Sequence, residues 1–200
     1  MKRLLCSVLA LLVIASFSSC GISADNIGKT ANSAMTVATE LTDIFAARKK
    51  TGYDLYGIKM LVNSENVGTY SYFYTNKRAD EVRYSDILVV EINNRTGKIE
   101  RFSAPDYDKH GTEPYDLIST AMPIYPQYFG IDSTAAIKKA ENEHFGNHFS
   151  YNYIETTVCY KDGMTVYDID HISLINNCIY NTVIDTATGN VLDSSVKELG

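Results

Sequence analysis

His144 and His148 stand four residues apart in "ENEHFGNHF", beside Glu141 and Glu143. Two histidines at i and i+4 on one helix face can chelate a metal ion. Gly146 falls between them, however, and glycine ends helices. That leaves His144 as a helix-end histidine, whose positive form suits the negative end of the helix dipole. Asp168 and Asp170 in "VYDIDHI" share one face of a strand, about 7 Å apart. Paired carboxylates hold Ca2+ or divide acid and base work between them. Calcium takes six or more oxygens, usually from a loop, and the chain has no Asp- and Gly-rich loop of that kind. A solvated strand face is the alternative reading. Tyr70, Tyr72 and Tyr74 in "GTYSYFYT" form an aromatic ladder at period two. Left uncovered, it would stack on a peptide or a glycan; covered by a helix or connector, it is core. Hydrolysis would need a pocket uniting His171 with Asp168 or Cys178. No GxSxG elbow, phosphate-binding glycine loop or HExxH helix occurs. The expectation is therefore no catalytic residue, no metal and no cofactor.

Four cysteines are present. Cys6 lies in an N-terminal apolar run and Cys20 at its end. Cys159 and Cys178 remain for the folded body. "VCYKDGMTV" reads as a hairpin around Asp162-Gly163, which sets Cys159 opposite about Val166. Cys178 then begins the next strand opposite about His171. The offset is about five residues, or roughly 16 Å along the sheet at 3.3 Å per residue. A disulfide needs Cα atoms within about 7 Å, so two free, partly buried thiols are expected. No CxxC or zinc spacing occurs.

The N-terminus has the grammar of an export signal. "MKR" is a positive start, "LLCSVLALLVIASF" (4–17) a short apolar run, and "SSC" follows. The run is too short for a comfortable permanent span. Small residues before Cys20 resemble a bacterial lipobox, although Phe17 stands where Leu is usual. Cys20 is the expected lipidation site and residues 1–19 the signal peptide. Cleavage after Ala24 in "GISAD" is the rival. Loss of residues 1–19 removes Lys2 and Arg3 and no acid, leaving 16 basic residues against 24 acidic, a net −8. An acidic body is repelled by phosphate backbones and anionic membranes, so nucleic-acid binding is not expected. Membrane attachment is expected through the lipid alone.

The elements that must position these residues follow. Residues 20–32 read as a tether. Residues 33–52 read as a helix, with Ala34, Val37, Ala38, Leu41, Ile44 and Phe45 forming one apolar stripe. Asn32 or Ser33 suits its start and Gly52 its end. Strand patterns follow in "YGIKMLV", "GTYSYFYT", "SDILVVEIN" and "KIERF", with Tyr56, Ile58, Met60 and Val62 alternating. All four prolines fall between Pro105 and Pro126, so residues 104–130 read as an ordered Pro- and Tyr-rich connector with a short helix near 115–121. A second helix follows at 132–146, then strands and a short final strand. A shift of 92 residues lays Thr96-Gly97 on Thr188-Gly189 and Ile92 on Ile184. The expected fold class is α+β: two tandem units, 33–103 and 131–195, each a helix packed on a three- to four-stranded antiparallel sheet.

With "AAIKKA" (135–140) on a helix and "YNTVIDTATGNVLD" (180–193) at a strand–turn–strand, residues 131–195 resemble a PepSY domain. That resemblance implies a helix on an antiparallel sheet, with an Asp-x-x-Thr-Gly turn before the last strand. Residues 33–103 are PepSY-like with departures. Asn93 stands where Asp185 does, and the helix lacks the Ala-Ile-x-x-Ala core. Asp185, Gly189, Asn93 and Gly97 are read as structural turn residues. The acid or amide accepts backbone N–H bonds, and glycine supplies a positive φ. The resemblance implies peptidase inhibition or control and brings no catalytic residues. The expected function is that of a membrane-anchored extracytoplasmic lipoprotein. It would be a non-enzymatic protein-interaction module whose partner is an envelope or secreted protein such as a peptidase. β-augmentation at an exposed edge is the expected binding mode. The alternative is a small-ligand or glycan binder using the Tyr70, Tyr72 and Tyr74 face.

Overall fold

A computed structural model describes residues 31–63, 67–78, 80–105, 107–119, 122–145 and 151–199. The expected signal peptide, Cys20 and most of the expected tether lie outside the described residues, as do Gly146 and His148. Eight strands run β1 (Asp54–Asn63), β2 (Gly68–Thr75), β3 (Ile87–Asn93), β4 (Ile99–Ser103), β5 (Tyr153–Lys161), β6 (Met164–Ser173), β7 (Cys178–Asp185) and β8 (Val191–Glu198). The helices are α1 (Ala31–Lys49), α2 (Tyr107–His110), α3 (Glu113–Ser119) and α4 (Ser133–His144). None of the described helices is long and apolar enough to cross a membrane.

The strands form one sheet in the order β4-β3-β2-β1-β5-β6-β7-β8, every pair antiparallel. This corrects the expectation of two tandem helix-on-sheet units. β1 and β5 pair directly, from Ile58↔Val158 to Asn63↔Tyr153. Neither four-stranded set therefore has a sheet of its own. The core is also shared. One cluster joins Ala34, Ala38 and Leu41 of α1, Ala136 and Ala140 of α4, and Ile58, Met60, Tyr72, Val90, Val158, Tyr167, Ile169 and Ile184 of the sheet. The helices meet where the Ala31 N–H donates to Ser133 Oγ at 2.9 Å. Full burial of a Leu, Ile or Met such as Leu41, Ile58 or Met60 is worth about 2 kcal/mol each in transfer free energy.

Local chemistry sets the ends of these elements. Asp132 caps α4, its Oδ1 accepting from Ala135 N at 2.9 Å. This satisfies one of the free N–H groups of the first turn. α1 ends at Lys49, and Lys50 after it takes the left-handed conformation (φ 54°) while Thr51 N donates to Ala46 O. The left-handed stop thus comes two residues before Gly52. In α1 the apolar stripe is narrower than its spacing suggests, since Ile44 is 40% exposed. Phe45 is partly buried against Phe102 and Tyr53. In β1 the register slips between Leu55 and Gly57. Leu55 joins the helix-covered core while Tyr56 turns to the other face. The expected alternation therefore holds from Ile58 onward but not at Tyr56, because a bulge reverses the parity.

The helix-covered side is the inner face. On the outer face α3 covers only the β1–β3 end. There Ile118 packs on Tyr56, Phe73, Val82, Ile87 and Val89. Gly57 makes room: a Cβ there would meet Leu117 Cδ1 at 3.3 Å. Ile124 N donates to Leu55 O at 2.7 Å as the connector returns.

Candidate functional site

Over β5–β8 no described element crosses the outer face. Two rows of side chains run across the strands there. One follows Lys59, Thr157, Asp168, Val183 and Asp193 through successive Cα pairs. The next follows Leu61, Glu155, Asp170, Asn181 and Ser195. The β5–β8 members of both rows, with Lys161 and Lys197, line a groove of about 380 Å³. A second hollow of about 440 Å³ continues it toward β2, lined by Lys59, Leu61, Ser71, His110 and Tyr153 among others. Glu155 lies in both. The result is one uncovered trough along the sheet.

Its centre is an amide between two acids. Asn181 Nδ2 donates to Asp168 Oδ1 at 2.7 Å and to Asp170 Oδ1 at 2.8 Å. Hairpin pairing dictates this, since Asp170 faces Asn181 directly and Asp168 lies two residues along. Burial raises the Asp170 pKa; the Asn181 bond opposes that, and the Asp168 and Glu155 charges add to it. Lys59 pairs with Glu155 at 2.8 Å, and Lys161 reaches Asp168 at 3.5 Å. Such partly exposed pairs add little stability, on the order of 0–1 kcal/mol. Their use is complementarity, because interspersed charges of both signs suit a polar protein surface. The pair is not arranged as a chelate: an N–H donor occupies the place between the acids where a cation would sit. Among the described residues no group of three or more His, Cys, Asp or Glu could hold a metal.

The tyrosine ladder is not part of this face. Tyr70, Tyr72 and Tyr74 are 3%, 0% and 2% exposed. They lie on the inner side beneath α1, where Tyr72 OH donates to Ala31 O at 2.6 Å and Tyr74 OH bonds Thr39 Oγ1 at 3.1 Å. Burial raises the pKa of all three phenols. This corrects the stacking-face reading: the Tyr72 and Tyr74 hydroxyls bond to the helix and Tyr70 to Asn94, so the rings are covered.

The hydrolase grouping also comes apart. His171 and Asp168 are three apart on β6, so the pleat sends them to opposite faces. His171 is fully buried on the inner side, with Phe145 and Tyr151 rings 5.6 and 4.9 Å away. Neither ring nitrogen has a hydrogen-bond partner among the described residues. His144 closes α4, where its Nε2 donates toward Asn181 O and lies beside Thr182 Oγ1, both at 3.0 Å. Cys159 pairs with Val166, but Cys178 pairs with Ser173 and not His171. The slip of two comes from the four-residue turn Leu174–Asn177, with Asn177 at φ 53°. Both thiols are free.

The two Thr-Gly turns share their backbone hydrogen bonds and differ in side-chain ones. Asn93 Oδ1 accepts from Arg95 and Thr96 N–H, and Asp185 Oδ1 from Ala187 N–H, with Thr188 Oγ1 donating to the other oxygen at 2.5 Å. Gly97 and Gly189 have φ 66° and 72°. Their N–H groups donate to Asn93 O and Asp185 O, each at 2.8 Å. The hydrogen bond from Thr188 is the main cause holding the Asp185 pKa low. A Cβ at Gly189 would meet Ile131 Cγ2 at 3.0 Å. Gly189→Val should cost about 2 kcal/mol, from left-handed strain in a β-branched residue plus that contact; a urea melt reads it.

Several residues of the outer face escaped the sequence reading. Asn181, Ser195, Asp193 and Lys197 sit on strands whose register only the tertiary pairing reveals. Glu91, 2% exposed, is another. Its carboxylate accepts from His110 Nε2 at 2.8 Å and faces Arg101 Nε at 3.6 Å. The available signal was a single acid inside the apolar run "ILVVEIN", since a buried carboxylate needs partners.

No protein-family model matches the chain, and no curated protein matches it. A crystal structure of a candidate lipoprotein from Clostridium difficile 630 is similar in fold. The identity is 15% and the TM-score 0.51, covering 80% of this chain and 92% of that one. At that identity the likeness establishes a common fold of the chain.

Proposed function

We propose that this chain is a lipid-anchored, extracytoplasmic protein-interaction module without catalysis of its own. It grips an envelope or secreted protein through the open outer face of β5–β8. The observation that carries the reading is that face itself: a trough with interspersed acids, amides and lysines, on strands of which β5–β7 bury their other side in the core. The lipobox-like "SSC" before Cys20 supports anchoring outside the cytoplasm. The structural neighbour described as a candidate lipoprotein is in keeping with it. The PepSY resemblance of residues 131–195 points to a peptidase as the partner class.

Full-length lipidated protein, used as bait in envelope extract, should retain a specific partner. Thr157→Arg places a bulky cation in mid-trough on a half-exposed position and should abolish retention while leaving the melting curve unchanged. If the partner is a peptidase, its turnover should fall when bait is added and recover with Thr157→Arg. Equal retention by both forms would remove the outer face from the reading.

A further inference from the structure

We propose that a second copy of this chain adds to β8, antiparallel, about a two-fold axis normal to the sheet at Ser195. This concerns the sheet edge and stands independently of what the outer trough binds. β8 is last in the sheet order. Natural edges are usually shortened, bulged or interrupted by proline to prevent such pairing. The opposite edge obeys: β4 has five residues, a register shift and Ala104-Pro105 after it. β8 also has a register shift, confined to its start between Val191 and Asp193, but it has eight residues, no glycine or proline, and every residue but Ser195 exposed.

The charges select both the occupant and the register. Asp193, Ser195 and Lys197 line the outer trough, whereas Ser194 lies near His144 on the inner side. A two-fold axis normal to the sheet returns each residue to its own face, so residues of equal parity must oppose each other. Pairing centred on Asp193 or on Lys197 sets like charges face to face. Pairing centred on Ser194 or Val196 leaves neither charge opposite its complement. Centring on Ser195 sets Asp193 against Lys197 of the other copy, twice by symmetry, and opposite charges directly across strands are favourable. Both outer troughs then face the same way, in one platform across the axis.

Single cysteines placed at positions 193 to 197 of the full-length lipidated chain, in its membrane, test this under mild oxidation. Directly opposed residues have Cα atoms about 4.5–5.5 Å apart, within disulfide reach. Covalent dimer should peak at Ser195→Cys, above the parent chain with its own Cys159 and Cys178. Adding Asp193→Lys should lower that yield several-fold, and adding Lys197→Asp as well should restore it. A flat profile, a peak at 194 or 196, or no recovery in the doubly reversed chain would overturn the proposal. Thr157→Arg should leave the yield unchanged, which separates this edge from the partner-binding face.

Discussion

Acidification from neutral pH to about pH 4 should remove about 3 kcal/mol of stability through His171 alone, and His171→Leu should abolish that share. Burial lowers the His171 pKa from 6.5 to about 4, with His144 nearby adding to the effect. The folded state thus keeps the ring neutral, while the unfolded chain protonates it below its ordinary pKa. Where the unfolded state binds the extra proton, stability falls with pH. The contribution is whole above about pH 6.5, shrinks through the window and levels off below about pH 4. The difference of about 2.5 pKa units corresponds to about 3 kcal/mol at 1.36 kcal/mol each. Among the described residues, the groups facing the ring offer no counter-charge. Phe145 and Tyr151 are uncharged, the Tyr151 hydroxyl is committed to Glu141 at 2.7 Å, and His144 is basic. Urea melts at several pH values should show a steeper loss in the parent than in His171→Leu. Carboxylates such as Asp170 and Asp185 titrate in both forms, so the difference between the two curves is the readout. Parallel curves would mean that the imidazole finds a partner when charged.

Gly130→Ala should cost about 3 kcal/mol, the upper range for overpacking. Gly130 and Ile131 both donate their N–H groups to Thr186 O, at 2.9 and 3.3 Å. This draws the connector onto the β7–β8 turn. A Cβ at residue 130 would collide with the Ala187 carbonyl oxygen. That is backbone, which cannot swing aside as a side chain would. The Thr186 bonds must loosen, and Ile131 beneath Gly189 must move with them. Gly52→Ala is the contrast, because nothing lies within 4 Å of a Cβ there. It should melt like the parent, and equal melting of both variants would show the connector to be loosely held.

What was legible in the sequence was local. The Asp162-Gly163 pair has φ 51° and 91°, the mirror-image turn that suits a two-residue hairpin. It fixed Cys159 opposite Val166. The Thr-Gly turns and both long helices were equally local. What failed was decided at a distance. Nothing in "YGIKMLV" announces that it pairs with "NYIETTVCY", so the single sheet was read as two. Nothing in Tyr70, Tyr72 and Tyr74 tells a stacking face from a core. That depends on Ala31 O and Thr39 arriving above them. The bulge at Tyr56 has no marker before Gly57, and the Asn181 bridge exists only once β6 and β7 are in register. The final strand was expected to be short, yet β8 has eight residues. Its sequence "VLDSSVKE" lacks the alternation that marks a half-buried strand, because neither face of β8 is covered.

The β1–β5 seam has a kinetic meaning. Ile58 meets a partner one hundred residues later, at Val158, whereas the remaining pairings are hairpin neighbours. Closing such a long loop is entropically slow, and high contact order delays folding. The first four strands can collapse under α1 as soon as they emerge. Until β5 arrives, β1 is a bare margin carrying Ile58, Met60 and Val62. A chain threaded outward from its N-terminus would spend that interval with its stickiest strand open. Zipping the seam is therefore the step at which a holdase, or a neighbouring nascent copy, would compete with the native fold.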